Sequence, residues 1–408
     1  MTQEELANAV GISLRIIERI ELGQLKPRTY SQKNGVYTAI KTNIMKFSIL
    51  LLFLLFTEIC FSQPFDTTKY KIEITQSEEV NKFFTKNSIW RGADGASSID
   101  LENGKVLWLF SDGFISSDQS GSRKRSFIVR NSIAIQDGYD LETASVNFYW
   151  NNTKRKPKAF FHSPGKFWFW TGHGVMINDK LIIFLIQEKQ TKKGIGFEAV
   201  GWFAALINNP TEDPTQWKMK FIKGPNTFGT IAGSAAVLKD KHYLYAYGAV
   251  EPATHEVYLL RWTLSDAYKG NLSSPEWWID NQWQQRTTMD PIPEPLFIGA
   301  TEYSVHFDSS LNKYIQIQSF GFGEGKIGIR TSDSLNGRWT EPYTFYTPDY
   351  LGIKDPLMYS AKAHPEIKAN GIYITYNVNS SDINELVNNQ TIYFPRFLLV
   401  KITESIKN

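Results

Sequence analysis

The chain has 408 residues, of which 42% are hydrophobic, 14% aromatic and 21% charged, and its formal net charge is +3. That length holds two ordinary domains or one large all-β domain, and the composition excludes a disordered chain. Residues 1–44 carry six Lys/Arg against four Asp/Glu, so the remainder is near neutral and makes no electrostatic case for nucleic acid or acidic polymers; a neutral glycan stays open.

In chain order, the stretch "TQEELANAVGISLRIIERIELGQLKPR" (Thr2 to Arg28) comes first. It resembles the helix-turn-helix of phage-repressor-type regulators. Residues 1–44 supply no further helices to close such a core, so they are expected to be a mis-called N-terminal extension or a decayed fusion. Next, "MKFSILLLFLLFTEICFSQ" (Met45–Gln63) has a basic start, an apolar run and a small residue before a polar one, the make-up of a signal peptide over 45–62. The apolar run contains Glu58 and falls short of the ~20 residues of a spanning helix. The expectation is a secreted or periplasmic protein, cell-surface placement being open, with no stable membrane span. The single cysteine, Cys60, lies in this segment. Its removal would exclude thiolate catalysis, disulfides and Cys-ligated zinc from the rest. No cofactor is expected, because no Walker loop, dinucleotide fingerprint or His-Glu-x-x-His occurs, and no metal ligand is assigned.

From Gln63 onward a unit recurs: an apolar strand, a short polar turn, a second apolar strand. The copies are "IDLENGKVLWLF" (Ile99–Phe110), "VMINDKLIIFLI" (Val175–Ile186), "AVLKDKHYLYAY" (Ala236–Tyr247), "HFDSSLNKYIQIQS" (His306–Ser319) and "EIKANGIYITYN" (Glu366–Asn377). Each has the grammar of a β-hairpin. Several are followed by a third strand, a polar turn and a Trp: Trp150, Trp217, Trp278 and Trp339. Units of about four strands are the anatomy of a propeller blade. The fold class is therefore all-β, a five-bladed β-propeller over 63–408. The early strand "YKIEIT" (Tyr70–Thr75) could complete the last blade and close the ring. Two packed β-domains are the alternative, and a monomer is expected.

In a propeller the first strand of each unit lines the axis, so the residues before each hairpin matter most. They are "WRGADGASS", "WFWTGHGVM", "GTIAGSAAV", "GATEYSVHF" and "MYSAKAHPE". All are rich in small residues, and four carry ionisable groups: Asp94, His173, Glu302 and the Lys362/His364 pair. Asp94 in "ADG" and Asp112 in "SDG" read equally as turn formers or as functional carboxylates. Glu302 among apolar and aromatic neighbours needs a partner or a task. Trp168 and Trp170 alternate with Phe169 and could present a sugar platform or pack in the core.

The stretches "GADGASSIDLENGKVLWLFSDGF" (Gly92–Phe114), "RSFIVRNSIAIQDG" (Arg125–Gly138) and "SAKAHPEIKANGIYITYNVN" (Ser360–Asn379) resemble secreted bacterial propeller proteins catalogued as domains of unknown function. These are related to the endo-D-arabinanases of glycoside hydrolase family 183 and, more distantly, to the furanosidases of families 43, 32 and 68. Such relatives more often read Gly-Asp-Thr where this chain has Ser111-Asp112-Gly113. The resemblance implies hydrolysis of furanosidic bonds in an arabinan-type polysaccharide or oligosaccharide by paired carboxylates, one protonated and one ionised. Asp94 is expected as base or nucleophile and Asp112 as general acid or its modulator, with Glu302 the alternative acid. His173, His364 and Arg130 are candidates for binding sugar hydroxyls. A non-catalytic glycan-binding propeller is the rival reading.

Overall fold

The computed structural model describes residues 63–405, apart from 119, 154–155, 193, 195, 253, 322 and 351. The helix-turn-helix-like stretch and the signal-like segment lie outside the described residues. The chain divides into two units: residues 1–63 with 288–293, and residues 64–287 with 294–408. The second unit holds every element considered below.

Five sheets follow one another along this unit, and each opens with a hairpin where the sequence places one, except that in the fifth residues 366–370 form the turn and the opening strand lies ahead of them. Their first two strands are Ser97–Asp100 and Lys105–Phe110, Trp168–Ile177 and Lys180–Gln190, Thr230–Lys239 and Tyr243–Val250, Tyr303–Asp308 and Lys313–Phe320, and Pro356–His364 and Ile372–Ser380. All are antiparallel meanders. The opening strands pack against one another in order, and that of the fifth sheet packs back against that of the first. Tyr70–Thr75 does pair with the last strand, Arg396–Glu404, in the register Tyr70 to Glu404. An early strand thus completes the fifth sheet and covers the edge of the last strand, itself becoming the outer edge.

The core is a succession of layers between sheets. Ile99, Leu107 and Leu109 meet Phe169, Leu181 and Ile183 between the first and second sheets. Phe184, Trp202 and Trp262 join the second to the third through ring contacts of 5.4–6.0 Å. Tyr247, Leu259, Tyr303 and Trp339 fill the next layer; Ile317, Ile329, Ile374 and Leu398 the one after. Trp108, Phe110 and Phe397 return from the fifth sheet to the first. The aromatic wealth of the sequence is largely spent here, as ordinary burial tendencies require.

Close approach near the axis demands small residues. A Cβ on Gly172 would lie 2.3 Å from the carbonyl oxygen of Gly233 on the neighbouring opening strand, well inside any permitted contact.

One element has no precedent in the sequence pattern. Trp90–Ala93, Gly113–Ser116 and Ser126–Val129 form a separate three-stranded sheet. It is an insertion in the first unit, and it extends that unit's opening hairpin beyond Asp94 and Asp112.

Candidate functional site

Asp94 and Asp112 occupy the junction between this extra sheet and the first of the five. The chain passes from Trp90–Ala93 through Asp94 into Ser97–Asp100, and from Lys105–Phe110 through Asp112 into Gly113–Ser116. At the junction Asp94 donates its N–H to the carbonyl of Asp112 (3.1 Å), and Ser111 donates to the carbonyl of Asp94 (2.8 Å). Left-handed backbone at Gly95 and Ala96 breaks the strand there. Related irregularities recur in other opening strands: the pairing register slips between Thr171 and Gly174, between Ala232 and Ala236, and between Tyr359 and Lys362. Such bulges turn side chains out of the regular alternation and toward one point.

The carboxyl of Asp94 accepts the hydroxyls of Tyr359 (2.8 Å) and Tyr393 (3.2 Å) on Oδ2, while its buried Oδ1 has no protein partner. Burial, then the nearby charges of Asp112 and Glu302, push its pKa up to about 8 against the pull of the two phenols. Asp112 is clamped on both oxygens: Arg130 Nη1 donates to Oδ2 (2.8 Å) and Trp170 Nε1 to Oδ1 (2.8 Å). Burial raises Asp112 too, with Arg130 and the indole N–H holding it back.

Glu302 reaches the same point from the fourth sheet. Its Oε1 accepts Lys362 Nζ (2.7 Å) and Ser360 Oγ (3.0 Å), both from the fifth sheet. Lys362 Nζ donates also to Ser360 Oγ (2.9 Å) and to the carbonyl of Gly95, beside Asp94. All three ammonium hydrogens therefore have acceptors, and the charge is buried, with its side chain 3% exposed. Ionisation of Glu302 is what makes a buried lysine tolerable here. The three carboxyls predicted from the sequence do converge, and two cations serve them.

The other predicted residues take different positions. Arg130 lies against Trp168, its guanidinium 4.3 Å from the ring centroid, and is committed to Asp112. Trp170 presents its indole N–H to the same carboxylate, and its ring meets Phe197 edge-on at 4.6 Å. His364 corrects the expectation of a sugar contact: it is 0% exposed, bonded to Ser98 Oγ and, through Nε2, to Thr375 Oγ1 (2.7 Å), and packed on Trp108. His173 is likewise engaged. Val237 N–H donates to its Nδ1 (3.0 Å), so Nε2 carries the hydrogen and donates to Ser98 O (3.0 Å). Burial holds its pKa down to about 4. Both histidines tie neighbouring sheets together as neutral rings.

Sequence reasoning missed Tyr359, Ser360, Tyr393 and Glu188. Tyr393 arrives from "IYFPRF", which carries no local signal; only the fold brings it to Asp94. Glu188 did leave a trace. It continues the apolar face Ile182, Phe184, Ile186 at period two, and a carboxylate on such a face is anomalous. It is 3% exposed, pairs across from Trp168, and is raised to about 8 by burial and by the charges of Glu251, Asp112 and Glu198.

A cavity of about 350 Å³ lies at another level of the opening strands, lined by Ser98, His173, His306, Lys362 and Glu366 among others. Neither Asp94 nor Asp112 lines it, so Lys362 stands between the carboxylates and this space. Among the described residues no group of three or more His, Cys, Asp or Glu is arranged to hold a metal ion, and no helix is long and apolar enough to cross a membrane.

The fold and the carboxylate cluster define an all-β protein whose solved structural neighbours include glycoside hydrolases. A candidate hydrolase from Bacteroides ovatus ATCC 8483 superposes with a TM-score of 0.65 at 19% identity, over 83% of this chain and 93% of the other; at that identity the likeness shows the fold. The α-L-arabinofuranosidase PaAbf62A from Podospora anserina, in complex with cellotriose, gives 0.39 at 12% identity over 84% and 98%. A family-43 enzyme from Xanthomonas citri, complexed with xylotriose, gives 0.40 at 12% over 80% and 93%. The last two carry no weight at those scores. Among curated proteins nothing matches. By sequence the chain belongs to the family described as domain of unknown function DUF5005, which it matches over residues 77–402.

Proposed function

We propose that the chain is a glycoside hydrolase built on a five-bladed β-propeller, acting on a furanose-containing, arabinan-type glycan. The observation that carries this reading is the meeting of Asp94, Asp112 and Glu302 with Arg130 and Lys362. Three carboxylates against two cations leave one surplus negative charge, and a single proton neutralises the cluster. One proton among paired carboxyls is what glycoside hydrolysis requires. Lys362 fixes negative charge on Glu302, and Arg130 with Trp170 favours it on Asp112. The proton therefore rests on Asp94, whose Oδ1 is unpartnered. In this division Asp94 is the general acid, Glu302 the ionised base and Asp112 the modulator, which reverses the roles the sequence suggested for Asp94 and Glu302. The sequence of 45–62 supports export of the protein, and the resemblance to family 183 supports the arabinan class.

A second reading, a glycan-binding propeller without turnover, draws on one observation: both oxygens of Asp112 are already engaged. A reducing-end assay of the purified protein on arabinans, fructans and galactans separates the two. Under the hydrolase reading the wild type releases sugar and Glu302→Gln does not. Asp94→Asn loses polymer hydrolysis but keeps turnover of aryl furanosides with good leaving groups, which need no acid. Binding of glycan with no release by the folded wild type would establish the module instead.

A further inference from the structure

The loop "GSRKRS", Gly121–Ser126, reads as a solvated basic run, yet its first arginine is interior. Arg123 is 2% exposed, and its guanidinium finds only carbonyl oxygens among the bonds it makes. Nε donates to Arg91 O (2.8 Å), Nη1 to Leu386 O (3.0 Å) and Asn389 O (2.8 Å), and Nη2 to Ile392 O. Leu386 lies in the short helix Ile383–Asn388 and Asn389 caps its C-terminal end, where carbonyls face outward and a cation is favoured. The planar fork also lies near the rings of Phe114, Tyr393 and Phe394, 5.2–5.9 Å from their centroids.

The residue after Ile392 is Tyr393, held at a φ of +65°, a conformation costly for a side chain of that size. Its N–H donates to Val378 O (2.8 Å), and its carbonyl presses on Gly92, where a Cβ would sit 2.3 Å away. From this posture its hydroxyl lies 3.2 Å from Asp94 Oδ2 and 3.0 Å from the carbonyl of Asp112. The strained backbone persists only because its surroundings over-determine it, and Arg123 supplies the bonds on the N-terminal side.

We propose that Arg123 is a positioning residue, clamping the 386–392 segment so that the Tyr393 hydroxyl is held on the carboxyl of Asp94. The function of this device rests on the hydrolase reading; its existence does not. Lysine in its place would keep the charge and lose the fork, which matters because the four carbonyls lie in different directions. The groups facing Asp94 are Asp112, Glu302, Tyr359 and Tyr393, with Lys362 behind Gly95. Of these, Arg123 bears only on Tyr393.

The test is a 13C-carboxyl titration of Asp94 in the full chain, assigned with Asp94→Asn, in the wild type, Arg123→Lys, Tyr393→Phe and the double variant. Tyr393→Phe removes a donor to the ionised form, so the midpoint rises, by roughly 0.5 pH unit or ~3-fold in proton affinity. Arg123→Lys is expected to raise it similarly and to add nothing in the Tyr393→Phe background. A midpoint unchanged by Arg123→Lys, or an equal rise in the Tyr393→Phe background, overturns the proposal even if thermal stability falls. Should Arg123→Lys not fold, Arg123→Gln reads the same two outcomes. Because the titration needs no turnover, it decides for or against the clamp even in a protein that hydrolyses nothing.

Discussion

Asp94 and Asp112 are 18 positions apart in sequence and joined directly by a backbone hydrogen bond of 3.1 Å. Their carboxyls are therefore carried on one rigid crossing of two chain segments, where two sheets meet end to end. Neither can be displaced without opening the ladder that joins the extra sheet to the first. This rigidity permits two acidic groups to be held close enough to perturb each other, and it makes the groups around them the means of tuning.

Arg130 is the first of those groups. Replacing it with Met removes the charge and the hydrogen bond that hold the pKa of Asp112 down, so Asp112 becomes harder to ionise. Under the hydrolase reading the acid limb of the kcat/KM profile moves to higher pH, and the rate at neutral pH falls by about 10²-fold, as when one electrostatic donor is lost. Stability should change little, because the Arg130 side chain is 39% exposed. A profile from pH 4 to 9 with an unmoved acid limb would contradict the assignment.

Lys362→Met is a different case, since the lysine is buried and Glu302 depends on it. The variant leaves a carboxylate without its cation, while the Gly95 carbonyl keeps Ser360 Oγ as a donor (2.9 Å). The expected loss of stability is about 3–5 kcal/mol. Adding Glu302→Gln should restore part of it, because the stranded charge then disappears. Urea unfolding of the two single variants and the double variant measures this, and strictly additive losses would show that the pair is not coupled.

The five hairpins were legible because each is local: apolar alternation and an Asn/Asp/Gly turn are written in a dozen residues. The pairing of Tyr70–Thr75 with the final strand was legible as a leftover strand needing a partner. The extra sheet was not, since "RGA" and "GFIS" are too short and too rich in glycine to announce strands. Asp94 and Glu302 could be found because ionisable residues at corresponding points of repeated units point to one place, and Asp112 because one hairpin returns the chain to the rim that carries Asp94. His364 sits at such a point as well and went the other way, since position along a strand does not tell which side of it a ring will face after a bulge. Tyr393 and Arg123 act across more than 260 positions, and nothing in either local sequence encodes that distance.

Packing at the axis gives a third expectation. Gly172→Ala would drive a methyl against Gly233 O, a backbone atom that cannot rotate away. The neighbouring opening strands must separate, at a cost of roughly 1–3 kcal/mol. Near-ultraviolet circular dichroism should stay native-like while the thermal midpoint falls. An unchanged midpoint would mean that these two strands stand further apart than the structure has them.

Glu188 allows the sign of a pH effect to be worked out. In the folded protein it titrates near 8; in the unfolded chain an ordinary glutamate titrates at about 4.3. Between those values the folded state keeps a proton that the unfolded state has released. Stability is therefore complete below about pH 4 and declines as pH rises toward 8. Asp94 and Glu366, raised to about 8 and about 7, contribute slopes of the same sign. His173 and His306, lowered to about 4, oppose them between pH 4 and 6.5. The difference between wild type and Glu188→Gln cancels those shared contributions. The margin of the variant over wild type should be smallest at pH 4, already larger at pH 5, and should go on growing toward pH 8, reaching roughly a few degrees in Tm. Thermal scans at unit pH steps measure it. Parallel curves for the two proteins would mean that Glu188 is ionised in the fold, with a cationic partner or solvent at its Oε2.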